Sequence, residues 1–126
     1  NQFKNRKLIA LLELHTFSSL NEDFIGEYRN SLKKADIRIL FYDPKAVASK
    51  GLKNISVQKI KDSFNDDSMI VISDSNQLKA YLFELSYQDT NLLFMSSGNY
   101  ASLDLEVIND FIKNNWWIIL NISFLI

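Results

Sequence analysis

The chain has 126 residues, 47% hydrophobic and 23% charged, with a formal net charge of -1. This suffices for one domain with an ordinary core and provides no basic field for nucleic acid, since Lys and Arg are spread along the sequence. With no cysteine and one histidine, His15, disulfide frameworks, thiolate metal sites and multi-histidine metal sites are excluded, and the expected setting is reducing and cytoplasmic.

In chain order, "KLIALLEL" (7–14) is a near-continuous apolar run, as expected of a strand buried on both faces of a parallel sheet. The stretch around it lacks the small-residue cleavage pattern of a signal peptide. From Asn21 to Lys34 the period lengthens. Phe24, Ile25, Tyr28 and Leu32 share one helical face, Glu22 and Asp23 occupy the first turn, and Lys33 and Lys34 close it. "IRILFY" (37–42) reads as a second strand stopped by Asp43-Pro44, with Asp43 a turn residue. Residues 44–54 show no clear period.

"SVQKIKDSF" (56–64) predicts a short helix capped by Ser56, and "MIVIS" (69–73) a third strand. Asp74 or Ser75 is expected to cap the next helix, which carries Leu78, Leu82 and Leu85. "NLLFM" (91–95) reads as the fourth strand. Leu103, Val107, Ile108, Phe111 and Ile112 then form the face of a last helix. The tail, Trp116 to Ile126, is too short to span a bilayer and carries Asn121 and Ser123. It reads either as an added edge strand or as exposed apolar surface.

Strands alternating with helices through short connections predict a three-layer, Rossmann-like α/β domain with a mainly parallel sheet over 1–115, followed by the apolar tail 116–126. Ligands of such sheets bind beyond the carboxyl ends of the strands. That singles out Glu13 to Ser19, Asp43 to Lys45, Ser73 to Ser75 and Ser96 to Asp104. The only glycines are Gly26, Gly51 and Gly98, so neither G-x-x-x-x-G-K-S/T nor G-x-G-x-x-G is present, and G-x-S-x-G is missing too. Glu13, Asp43 and Asp74 at three strand ends are an acidic set of the phospho-receiver kind, but no strand-end lysine accompanies them.

The loop "SSGNYASLD" (96–104) remains, small, polar and glycine-containing. Ser102 at the expected helix start is placed either to cap the helix or to bind a ligand oxygen, and Gly98 permits close backbone approach. "LHTFSSLN" (14–21) is a second polar junction, holding His15.

Together, "RKLIALLELHTFSSLNEDFIGEYRNSLKKADIRILFYDP" and the later "LLFMSSGNYASLDL" resemble the C-terminal domain of the Mur ligases, over residues 3 to 113. The first stretch is similar to the "LIAVLEPRSNT" of the tripeptide-recycling members and the "LIAVF-P-H-R-Y-S-R" of the alanine-adding members. "KKADIRILFYDP" is similar to the family's "ADEVFLYQP", and "MSSGNYASLD" to "MSNGGFGG", with "ASLD" also found in the D-glutamate-adding members.

The resemblance implies the C-terminal domain of an ATP-dependent enzyme of bacterial peptidoglycan synthesis or recycling. Such an enzyme joins UDP-N-acetylmuramate to an amino acid (alanine) or a peptide through an acyl phosphate. ATP and Mg would bind mainly outside this chain, in the central domain. The central and N-terminal domains of the same enzyme would be its partners, with no nucleic acid and no membrane, and the chain alone would be inactive. The resemblance further implies substrate-binding roles for Ser102, His15, Ser97, Gly98 and Asn99, none of them catalytic; Glu13, at the end of the first strand, is expected to orient His15.

One departure bears on the substrate. Where the alanine-adding loop carries two arginines this chain has Thr16 and Ser19, so the bidentate carboxylate grip is lost and the acceptor, alanine or tripeptide, stays open. The reading outside the family is a stand-alone flavodoxin-like binding or interaction module.

Overall fold

Apolar side chains on both faces of the sheet build the centre of the molecule. The computed structural model describes residues 6–15, 20, 25–96, 100, 103–115 and 118–123. Strands β1 (Lys7–Leu14), β2 (Ile37–Tyr42), β3 (Ile70–Ile72), β4 (Thr90–Met95) and β5 (Ile118–Ser123) form one sheet in the order β3-β2-β1-β4-β5. Every pairing is parallel.

Side chains alternate across this sheet. Ala10, Leu12 and Leu14 point with Leu40 and Tyr42 to one face, where they bury Ile25, Val47, Ile60 and Phe64. Ile9, Leu11, Ile39, Phe41, Leu92 and Phe94 point to the other, against Leu78, Leu82, Ile108 and Ile112. Two cores on one sheet make the expected three-layer, Rossmann-like α/β arrangement.

Four helices are described. Helix α1 (Pro44–Ser49) lies where the sequence showed no period. Asp43 does more than turn the chain: its carboxylate accepts from the Lys45 amide at 2.9 Å as the helix cap, with Pro44 in the first turn. Gly51 closes the helix at φ 71, a left-handed conformation that suits glycine.

Helix α2 (Val57–Phe64) is capped by Ser56, whose Oγ accepts from the Lys59 amide at 3.1 Å. Helix α3 (Ser75–Glu84) is capped by Asp74 rather than Ser75, through the Gln77 amide at 3.0 Å. Leu85 falls just past its end. In α4 (Leu105–Asn115), Ile108 and Ile112 are fully buried and Phe111 stacks on Phe83 at 4.5 Å between ring centroids. Val107, expected on the same face, is 42% exposed and belongs to the outer side.

The helix expected over 21–34 does not run to Lys34. The described part is a single 3-10 turn, Ile25–Tyr28, followed by turns. Asn30 takes φ 62, which no α-helix tolerates, and its amide donates to the Phe64 carbonyl at 3.1 Å. Tyr28 stacks on Phe64 at 5.5 Å. Docking against the end of α2 therefore overrides a helical pattern already weakened by Gly26.

The tail contributes β5, paired from Thr90↔Ile118 to Met95↔Ser123 at the sheet's edge. Among the described residues no helix is long and apolar enough to cross a membrane.

Candidate functional site

From β1 the chain steps outward through β2 to β3, and then returns to the far side of β1 for β4 and β5. The order reverses between β1 and β4, the switch point at which sheets of this kind have their ligand crevice. Leu12 pairs with Met95, so Glu13 and Ser96 leave the sheet side by side at this point.

Glu13 follows the alternation of Ile9 and Leu11 onto the α3/α4 face of the sheet, and it is buried, 4% exposed. An isolated carboxylate there would be costly, so its oxygens must be matched. Oε1 accepts from Ser96 Oγ and from the Tyr100 amide at 3.1 Å. Oε2 lies 3.9 Å from His15 Nδ1, on a ring whose side chain is 38% exposed. The expected proximity of Glu13 and His15 is present.

Tyr100 anchors the segment after β4. It adopts φ 53, and its ring lies between Phe94 and Phe41 at centroid distances of 5.9 and 6.2 Å. The hydroxyl donates to the Met95 carbonyl at 3.0 Å, with the Leu11 carbonyl at 3.4 Å. Burial pushes the Tyr100 phenol well up, and the Glu13 charge pushes it further, so the hydroxyl stays protonated as a donor. Ser96 and Tyr100 belong to the 96–104 stretch that the strand-end rule singles out, but not to the residues assigned acceptor contacts. Nothing local marks them, because their bonds to Glu13 span 83 and 87 residues.

Helix α4 begins beside this crevice, at Leu105 rather than at Ser102. Its first amides are already matched: Asp104 Oδ1 accepts from Glu106 at 3.0 Å and from Val107 at 3.2 Å. These two amides thus face the helix's own carboxylate. Ser102, Ser97, Gly98 and Asn99, like Thr16 and Ser19, lie outside the described residues.

The other acidic strand ends serve structure. Asp43 and Asp74 spend their carboxylates on helix caps. Among the described residues no group of three His, Asp or Glu side chains is placed to hold a metal. A second buried carboxylate, Asp66, lies near the amino ends of β2 and β3, away from the crevice. Arg38 grips it through Nε and, at 3.3 Å, through Nη2, while the Ser68 amide donates at 3.1 Å.

Curated proteins similar to the chain include two ligases. Aspartate–tRNA ligase of Buchnera aphidicola subsp. Schizaphis graminum is 29% identical over 131 residues, covering 92% of the chain and 20% of that protein. UDP-N-acetylmuramate–L-alanine ligase of Fusobacterium nucleatum is 21% identical over 104 residues, covering 82% and 22%. The chain therefore spans about a fifth of the length of these relatives, and the link to ligases is a loose one. No family description matches the chain, and no solved structure does.

Proposed function

We propose that the chain is the acceptor-binding domain of an ATP-dependent carboxylate–amine ligase acting on UDP-N-acetylmuramate and an amino acid or peptide. The observation that carries this reading is the meeting of Glu13 and His15 with the segment after β4 at the switch point of a parallel sheet. Those are the two stretches through which the sequence resembles Mur ligases, and similarity to UDP-N-acetylmuramate–L-alanine ligase over 82% of the chain supports the choice.

In this reading ATP and Mg bind mainly outside this chain. It carries no phosphate loop, and its described residues hold no acidic cluster. They are assigned to the remainder of a longer enzyme, where ATP supplies the activated carboxylate as an acyl phosphate. This chain's share is to hold the acceptor. His15 stands half-exposed beside the switch point; the resemblance assigns further acceptor contacts to Ser97, Gly98, Asn99 and Ser102, which lie outside the described residues. The work of such a site is to present the amine at a fixed distance from the reacting carbonyl.

The likeness to aspartate–tRNA ligase favours a second reading, a tRNA-charging enzyme. A net charge of -1 with dispersed Lys and Arg argues against it, since a tRNA-contacting surface needs clustered cations.

The test is phosphate release from ATP by the full-length enzyme with UDP-N-acetylmuramate and alanine or the tripeptide. Release that requires both substrates is expected. In that enzyme Ser102→Ala should raise KM for the acceptor about tenfold, the loss of one hydrogen bond to a charged group. Unchanged KM and turnover would remove Ser102 from the site. Aminoacylation of tRNA in place of phosphate release would overturn the whole reading.

A further inference from the structure

Glu13 is a buried negative charge whose two oxygens face different parts of the chain. One takes the Ser96 hydroxyl and the Tyr100 amide from the segment after β4, and the other faces the His15 ring after β1. Among the described residues no lysine or arginine pairs with it. A carboxylate in this position costs folding energy unless its neighbours repay it, and an apolar residue would fill the same place on the α3/α4 face more cheaply.

From this geometry we infer that Glu13 is a positioning residue that locks the two walls of the crevice together and fixes which nitrogen of His15 meets the acceptor. The inference rests on the acceptor-binding reading above for its kinetic consequences, but not for its structural ones. With Nδ1 turned to Glu13 Oε2, the ring proton belongs on Nδ1 and the lone pair on Nε2. A nitrogen lone pair at the crevice suits an N–H donor. His15 therefore receives the amine end of the acceptor rather than its carboxylate, and that carboxylate falls to other groups. The separation of 3.9 Å exceeds a hydrogen bond, so the carboxylate acts on the ring through its charge.

The test uses the full-length protein labelled in its histidine rings, with the His15 nitrogens assigned by their loss in His15→Gln. The Nδ1–H form is expected to dominate in the parent. Glu13→Gln keeps a carbonyl oxygen for Ser96 and Tyr100 but loses the charge, and should abolish that preference. Glu13→Asp, which keeps the charge but withdraws it by one methylene, serves if the glutamine variant does not fold, and should do the same.

In kinetics, Glu13→Gln and His15→Gln should each raise KM for the acceptor by about tenfold or more with a smaller change in kcat, and the double variant should lose no more than the worse single one. An unchanged ring tautomer in both Glu13 variants, or additive losses in the double variant, overturns the proposal. Absence of ligase activity in the parent would instead sink the acceptor-binding reading, leaving the ring nitrogens to decide the role of Glu13.

Discussion

Asp66 illustrates how a single residue's surroundings set its charge. Burial disfavours its ionised form, but hydrogen bonds from Arg38 and Ser68 and the Arg38 charge outweigh that, and its pKa falls below the ordinary 3.8. Between the lowered folded value and 3.8 the unfolded chain binds more protons than the folded one, so stability rises with pH through that window. The contribution is fully present above 3.8 and is lost as acid carries the pH down through the folded value. Denaturant unfolding at a series of pH values should therefore show Asp66→Asn less stable than the parent at neutral pH, with the gap closing in strong acid. A gap of constant size would mean that the Arg38 pairing contributes nothing through charge. The tyrosines behave oppositely at the other end of the scale. Burial raises Tyr87 and Tyr100 above 10.0, so ionisation there opposes folding only in strong alkali.

At the level of elements, legibility followed how local the cause was. "KLIALLEL" and "IRILFY" were readable as strands because burial on both faces leaves no polar alternation, and both formed over the expected residues. The caps of α2 and α3 were readable because a Ser or Asp ahead of a helix needs only its own next turn. Helix α1 carries the same signal, an Asp followed by Pro, and is obscured because an Asp-Pro pair reads equally as a strand stop and as a helix start. The segment 25–34 was not readable, since its Asn30 and Tyr28 conform to Phe64 far along the chain. Helix α4 extends the point to its start. Asp104 faces the amides of Glu106 and Val107. Asp104→Ala should cost about 1 kcal/mol, a fall in Tm of about 3–5 °C, while Asp104→Asn keeps most of the cap. Equal losses in both variants would shift the effect from the hydrogen bonds to the charge.

The whole molecule is governed by where β1 lies. It is flanked by β2 and β4, with six residue pairs to each, and its side chains fill both cores. The class of this arrangement followed from alternation of elements, but strand order did not, because nothing in a local pattern says on which side of β1 the fourth strand docks. For the same reason the candidate site was half-visible: the strand-end rule selected Glu13 and the 96–104 loop separately, and only the order β3-β2-β1-β4-β5 joins them. That order has a measurable consequence. Amides bonded on a central strand open only when the sheet itself comes apart, whereas edge strands fray alone. In hydrogen exchange, amides of Ile9 to Leu14 and of Leu92 to Phe94 should be the slowest in the chain. Ile70 to Ile72, at the edge with three residue pairs to β2, should exchange at least tenfold faster, the equivalent of about 1.4 kcal/mol less protection. Protection at β3 equal to that at β1 would mean a further strand covers that edge, and slow exchange at β3 with fast exchange at β4 would require a different strand order and would separate Glu13 from Tyr100.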